Sequence, residues 1–198
     1  MANVSQKTLS FLEVLIPFTK DYNAKIYGTK LAKLSNSPQR TVSRKLIDLE
    51  KKGLLKFKRD GKNKSYYLNL DSLLSFSLLQ ILENHKEIMF HINHPKLSLL
   101  LKELSLNKSV ILFGSYAKGR AKTNSDIDLV ILDKENKQIN SIIERYPYEI
   151  NAFYFTLPHL KSMLKKGEPL AKEIIKDHIF LGKKEKVIKT LIDYNKNI

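Results

Sequence analysis

Between Val110 and Leu132 the chain reads V-I-L-F-G-S-Y-A-K-G-R-A-K-T-N-S-D-I-D-L-V-I-L, and this stretch constrains the fold more than any other. Residues 110–113 form a continuous apolar run of strand length, Gly114-Ser115 is a turn signal, and a second apolar run opens at Asp126-Ile127-Asp128. Side chains alternate faces along a strand, so Asp126 and Asp128 are expected on one face, with Ile127 between them pointing into the core. Two carboxylates on one face can hold a divalent metal. Magnesium carried with a nucleotide is usually bound by one or two carboxylates plus phosphate oxygens, the ligand set this pair leaves room for. The backbone N–H groups of a strand-to-helix turn, here Gly114-Ser115, favour an anionic phosphate.

The order G-S-x-A-x-G followed by S-D-I-D-L resembles the signature of the polymerase-beta-like nucleotidyltransferases, in particular their minimal stand-alone branch. The match runs through Gly114, Ser115, Ala117, Gly119, Ser125, Asp126, Asp128 and Leu129. The resemblance implies that Gly114 and Ser115, with Ser125 nearby, grip the nucleotide's phosphates, and that Asp126 and Asp128 bind Mg²⁺ or Mn²⁺. It implies attack by a hydroxyl on the α-phosphate of a nucleoside triphosphate, ATP foremost, with release of pyrophosphate. The family also uses a third carboxylate, on a strand after the next helix. Here that helix is expected over 137–145 and the strand over 148–155, where Glu149 is the only acid and shares a face with Asn151 and Phe153. Glu149 is therefore the expected third catalytic and metal-binding residue. Lys118 and Arg120, in the intervening loop, are candidates to screen the triphosphate's charge.

Composition sets outer bounds. With 198 residues the chain can bury one large or two small cores, and with no cysteine it has neither a disulfide framework, a zinc–thiolate site nor a thiol nucleophile. The longest uncharged apolar run, 72–82, is too short to cross a bilayer, and no signal peptide is evident, so a cytoplasmic, prokaryotic protein without a membrane partner is expected. The net charge of +15 is unevenly spread, for residues 1–70 hold 15 Lys and Arg against 5 Asp and Glu. Such asymmetry points to a polyanionic partner.

The pattern of that basic third is specific. It predicts helices over 6–18 and 29–34, a Ser35-Asn36 turn, and a third helix with Ser37 as N-cap, Pro38 at its first position and Gly53 closing it. Val42, Leu46 and Leu49 fall on one face of the third helix, while Gln39, Arg40, Ser43 and Arg44 fall largely on the other. Strand patterns at 54–59 and 65–70, separated by Asp60-Gly61 and Lys62-Asn63-Lys64, predict a hairpin with a basic tip. Helix, helix, capped helix and hairpin in this order resemble a winged helix-turn-helix domain. That resemblance implies DNA binding, with Gln39, Arg40, Ser43 and Arg44 near base edges and Lys58, Arg59, Lys62 and Lys64 on phosphates.

A strongly apolar helix is expected over 71–92, with Leu73, Leu74, Leu78, Leu79, Ile81, Leu82 and Ile88 on more than one face. Such a helix is expected to pack between domains or to form a homodimer seam. The expected organisation is mixed α+β: a winged helix over 1–70, a connecting helix over 71–94, and a minimal nucleotidyltransferase α/β domain with a mixed sheet over 95–198. Two functions follow from this reading. One is metal-dependent transfer of a nucleoside monophosphate to a hydroxyl on protein or nucleic acid; the other is DNA-binding regulation, antitoxin-like, in which the second domain binds nucleotide or a partner without catalysis.

Overall fold

The computed structural model describes residues 11–135 and 137–197, and these divide into two compact units between Leu82 and Glu83, with 195–197 belonging to the first. In the first unit, residues 11–15 are helical and tighten into a 3₁₀ turn at Ile16–Thr19 that buries Phe18 and Thr19. The Thr19 hydroxyl donates to the Ile16 carbonyl at 2.8 Å. The expected start of this first helix, 6–10, lies outside the described residues.

A short strand β1 (Ile26–Tyr27) leads into helix α1 (Gly28–Leu34), and helix α2 (Gln39–Lys51) follows after the Ser35-Asn36 turn. Asn36 takes the left-handed conformation there, at φ 47°. Helix α2 buries Val42, Leu46 and Leu49, as their spacing predicts. Its start differs from the expected one. Pro38 has an extended ψ of 133°, so the helix begins one residue later, with Pro38 as a cap lacking any side-chain bond. The Ser37 hydroxyl turns back to donate to the Ser35 carbonyl at 3.0 Å, and the Pro38 carbonyl accepts from Thr41 N and Val42 N. At the other end Gly53, at φ 68°, lets the chain leave the helix.

Strands β2 (Leu55–Asp60) and β3 (Asn63–Leu68) form the hairpin, with Asp60 opposite Asn63. Asp60 thus belongs to the strand, and the connection is Gly61-Lys62. Strand β1 pairs with β3, giving the order β1-β3-β2. Helix α3 (Ser75–Asn93) starts four residues later than expected, because residues 71–74 form turns. Its apolar side chains are not buried all round: Leu78, Leu79, Leu82 and Phe90 are buried, whereas Ile81 and Ile88 are exposed, as are Leu73 and Leu74 in the turn before it. Among the described residues no helix is long and apolar enough to cross a membrane.

The second unit is built on a four-stranded mixed sheet of β4 (Ser109–Phe113), β5 (Ile127–Ile131), β6 (Ile150–Tyr154) and β7 (Ile179–Gly182) in the order β6-β5-β4-β7. Strand β4 is antiparallel to β5 and β7, while β5 and β6 are parallel. Val110, Leu112, Ile127, Leu129, Ile131 and Leu181 face one side and pack on helix α4 (Pro95–Ser105) through Leu97, Leu100, Leu101 and Leu104. Each fully buried Leu or Ile contributes about 1.5–3 kcal/mol relative to exposure, so this layer fixes the sheet's register. The alternating residues Ile111, Phe113, Asp128 and Val130 face the other side.

Glu83, on α3, is fully buried and meets the buried His178, just before β7, at 3.1 Å and Lys86 at 2.9 Å. Burial by itself would raise the Glu83 carboxyl, but the Lys86 charge and the His178 bond outweigh it and hold the pKa at about 2. Burial, then the Lys86 charge, push the His178 imidazole below its ordinary value. Both groups therefore bind fewer protons folded than unfolded. His178 starts to cost stability as pH falls through the ordinary histidine value near 6.5, and Glu83 adds its loss from about 4.5 down to about 2. Urea midpoints followed by circular dichroism are expected to fall steadily from pH 7.5 to pH 5. In His178→Gln this upper part of the slope is expected to flatten.

Candidate active site

The site begins at the end of β4. Phe113 is extended and pairs with Asp128 on β5; the chain then enters Gly114 at φ 66° and makes a single helical turn, α5 (Gly114–Ala117). This sharp reversal is what the Gly-Ser pair supplies, since left-handed backbone is open to glycine at little cost. A β-carbon on Gly114 would lie 1.9 Å from Asp128 Oδ2, inside the carboxylate itself. The missing side chain is therefore the seat of the Asp128 carboxylate.

Ile127 is fully buried, and the aspartates on either side of it, Asp126 and Asp128, are half-buried, as the alternation predicts. The loop between the strands is tied locally. Lys118 N donates to the Gly114 carbonyl and Arg120 N to the Ser115 carbonyl, at 3.1 and 3.0 Å. Lys122 N donates to Ser125 Oγ at 2.8 Å, so Ser125 shapes the loop that delivers Asp126. The Lys118 ammonium sits 2.7 Å from the Glu173 carboxylate on helix α8 (Pro169–Lys176), which follows α6 (Lys137–Glu144) and α7 (Leu157–Lys166) in the chain. Any phosphate binding by Lys118 therefore competes with that pair. Arg120 is exposed.

The third position departs from expectation. Strand β6 begins at Ile150, and its register sets Asn151, not Glu149, directly opposite Asp128. The Asn151 side-chain amide donates to Asp128 Oδ1 at 3.1 Å. Glu149 lies one step before the strand, exposed, with its carbonyl accepting from Ile127 N. Among the described residues no three of His, Cys, Asp and Glu are grouped to hold a metal, so the expected Asp126–Asp128–Glu149 triad is not assembled. Sequence reasoning placed Asn151 on the right face but sought an acid, and only the strand register identifies the amide as the neighbour of Asp128.

The remaining pair still suits a hard cation. Its donors are carboxylate oxygens, and Asp128 is held on both sides, by the Gly114 hollow at Oδ2 and by the Asn151 amide at Oδ1. Two carboxylates leave the rest of an octahedral shell to phosphate oxygens and water.

Residues 95–189 match the family model of the nucleotidyltransferase domain. The chain carries a nucleotidyltransferase domain, and it is an enzyme of the nucleotidyl-transfer class. No curated protein and no solved structure matches it. The nucleotidyltransferase match covers the mixed sheet, the Gly114-Ser115 turn and both aspartates, and it stops short of the first unit.

In the first unit, a groove of about 430 Å³ is lined by Gln39 and Ser43 of α2, Lys62 and Lys64 of the hairpin, and Tyr27, Thr29 and Tyr66. Four of the expected DNA-binding residues thus share one surface hollow. Arg40, Arg44, Lys58 and Arg59 are exposed outside its lining. Lys64 is tethered, with its ammonium 3.6 Å from the Phe57 ring centroid and 3.6 Å from Glu50.

Gly114 and Gly119 have the same φ of 66°, but a β-carbon at Gly119 meets nothing within 4 Å. Gly119→Ala is expected to cost only backbone strain, about 1–2 kcal/mol. Gly114→Ala adds displacement of the Asp128 carboxylate, and calorimetry is expected to give it the clearly lower melting temperature of the two.

Proposed function

We propose that the chain transfers a nucleoside monophosphate from a nucleoside triphosphate, ATP foremost, to a hydroxyl of a nucleic-acid or protein acceptor in the cytoplasm. The observation that carries this reading is the packing of the Asp128 carboxylate into the hollow of Gly114, which joins the acid pair to the turn that would receive phosphate. Asp126 and Asp128 would hold Mg²⁺ or Mn²⁺. When bound, the cation would neutralise charge on the triphosphate and stabilise the charge that develops on the leaving pyrophosphate. The backbone at Gly114 and Ser115 would hold the β- and γ-phosphates, and Lys118, released from Glu173, with Arg120 would balance their charge. The acceptor oxygen bonds to the α-phosphorus as the α–β bridging P–O bond breaks and its electron pair leaves with pyrophosphate. The acceptor proton passes to a carboxylate of the acid pair or to water, since the side chain facing Asp128 from β6 is an amide with no basic function.

We further propose that residues 1–70 act as a winged helix-turn-helix that brings the enzyme to DNA. The helix pair α1 and α2, the hairpin after them and the polar groove between α2 and the hairpin support this reading. Exposed Ile88, Met89 and Ile92 on α3 support pairing of two copies. A second function remains in view because of Asn151. A site with an amide beside Asp128 suits nucleotide binding with slow turnover, as a DNA-binding, antitoxin-like regulator would require.

Incubation with each α-labelled triphosphate and Mg²⁺ or Mn²⁺, with and without cell lysate, tests the two. Wild type is expected to transfer label and Asp126→Asn with Asp128→Asn to transfer none. Metal-dependent nucleotide binding without transfer would instead favour the regulator. Asn151→Asp is expected to raise the rate at limiting metal, and Glu149→Gln to change it by less than twofold.

The nucleic-acid half has its own measurement. Arg40→Ala with Arg44→Ala is expected to weaken binding to DNA from the chain's own promoter region in electrophoretic mobility shifts. Removal of Lys58, Arg59 and Lys62 is expected to flatten the dependence of log K on log salt, by about one unit for each phosphate left without its cation.

A further inference from the structure

The face of the sheet that carries Asp128 does not end at the carboxylates. Residues 151, 153 and 155 alternate onto one side of β6 and the segment that continues its ladder, where Phe155 N donates to the Ile131 carbonyl at 3.2 Å. Asn151 is shown to be on the Asp128 side by its bond to that carboxylate. Phe153 and Phe155 therefore follow it on the same side. Their ring centroids are 6.3 Å apart, Phe153 lies 5.8 Å from Phe113, and Phe155 lies 5.4 Å from the His159 ring in the first turn of α7. The result is a row of rings that starts two residues from the amide on Asp128.

Phe155 is half-buried, but Phe153, on the edge strand β6, is open to water. Elsewhere on the same face Ile111, Phe113 and Val130 are at most 5% exposed, yet Phe153 keeps 37% of its surface in water. His159, at the end of the row, is exposed as well. An open ring costs the fold part of its burial energy, and beside the carboxylate pair its flat surface is of use to a planar ligand.

The strand order says which ligand. The Gly114-Ser115 turn follows β4, on one side of β5, and the aromatic row lies on β6, on the other side. If pyrophosphate leaves from the turn, the attacking oxygen must approach in line from the opposite side, over β6. That side belongs to the acceptor.

We propose that Phe153, Phe155 and His159 form a stacking subsite for the nucleobase at the 3′ end of a nucleic-acid acceptor, whose terminal hydroxyl then faces Asp128. The inference rests on the transferase reading above and narrows its acceptor from any hydroxyl to a nucleic-acid end. Stacking on rings is tolerant of sequence, since every base has a π-face, so the subsite selects an exposed terminal base and not a particular one.

The test uses the full chain and trinucleotides carrying 2-aminopurine at the 3′ or the 5′ end, in ribose and deoxyribose forms, with fluorescence quenching as readout. Wild type is expected to quench the 3′-labelled probe, and the sugar bound more tightly names the nucleic acid. Phe153→Leu, which keeps an apolar side chain but removes the ring, is expected to weaken that binding about tenfold. Phe153→Tyr is expected to restore it, and His159→Ala, at an exposed position, gives an independent reading should Phe153→Leu fail to fold. Asp126→Asn with Asp128→Asn is expected to abolish transfer yet leave quenching in place. Absent transfer in wild type with ring-dependent quenching would sink the transferase reading and spare the subsite. Unchanged quenching and unchanged label transfer in both Phe153→Leu and His159→Ala would overturn the subsite, as would label found on protein acceptors alone.

Discussion

The second unit depends on one contact between backbone and carboxylate. With a β-carbon at Gly114 placed 1.9 Å from Asp128 Oδ2, the turn after β4 and the acid on β5 cannot both be present unless residue 114 has no side chain. The positive φ of Gly114 imposes the same identity a second time, through the backbone. The pairing of Phe113 with Asp128 makes the juxtaposition unavoidable, because these two residues are directly opposite in the antiparallel ladder. The candidate site is thus built into the register of a core strand pair. Gly182 plays a comparable part at the far edge of the sheet. A β-carbon there would lie 2.2 and 2.4 Å from the carbonyls of Ser105 and Lys108, so β7 can close against the end of α4 only as glycine.

The same reasoning explains why the strand–turn–strand stretch from Val110 to Leu132 was legible in the sequence. Apolar runs of strand length, a Gly-Ser turn and an alternating acid pair are local patterns, and local patterns survive folding when both faces of the strand are buried. Ile127 is wholly buried between two half-buried aspartates, which is the alternation read as packing. The core face of α2 was equally legible, since Val42, Leu46 and Leu49 repeat at helical spacing and nothing competes with them.

What was not legible depends on partners distant in sequence. The neighbour of Asp128 across β6 is fixed by a parallel register between strands separated by a helix, and shifting that register by two residues exchanges Asn151 for Glu149. No property of the segment 148–155 alone decides it. Ser37 was misread for a nearer reason. A serine before proline carries the local signature of an N-cap, but the extended ψ of Pro38 moves the helix start past it, and the hydroxyl bonds to the turn behind. Apolar content alone did not place Leu73, Leu74, Ile81 and Ile88: the first two lie in the turn before α3, and the helix buries one stripe and exposes another that holds Ile81 and Ile88.

Asn151 also changes the electrostatics of the resting site. Three carboxylates converging without a cation repel one another, and such a site must either protonate or wait for metal to become ordered. On the proposed reading, an amide in place of one of them removes a negative charge and supplies a donor, and the donor is already bonded to Asp128 at 3.1 Å. Asp128 is thereby held in place by protein groups alone, with the amide on one oxygen and the Gly114 hollow behind the other. The same exchange removes a ligand. On the proposed reading, a cation held by two carboxylates binds weakly by itself and gains its remaining oxygens from the triphosphate, so metal and nucleotide arrive as one species. In a chain of net charge +15, where free divalent cations are repelled overall, delivery as a negatively charged metal–nucleotide complex is also the arrangement that the protein's own field favours.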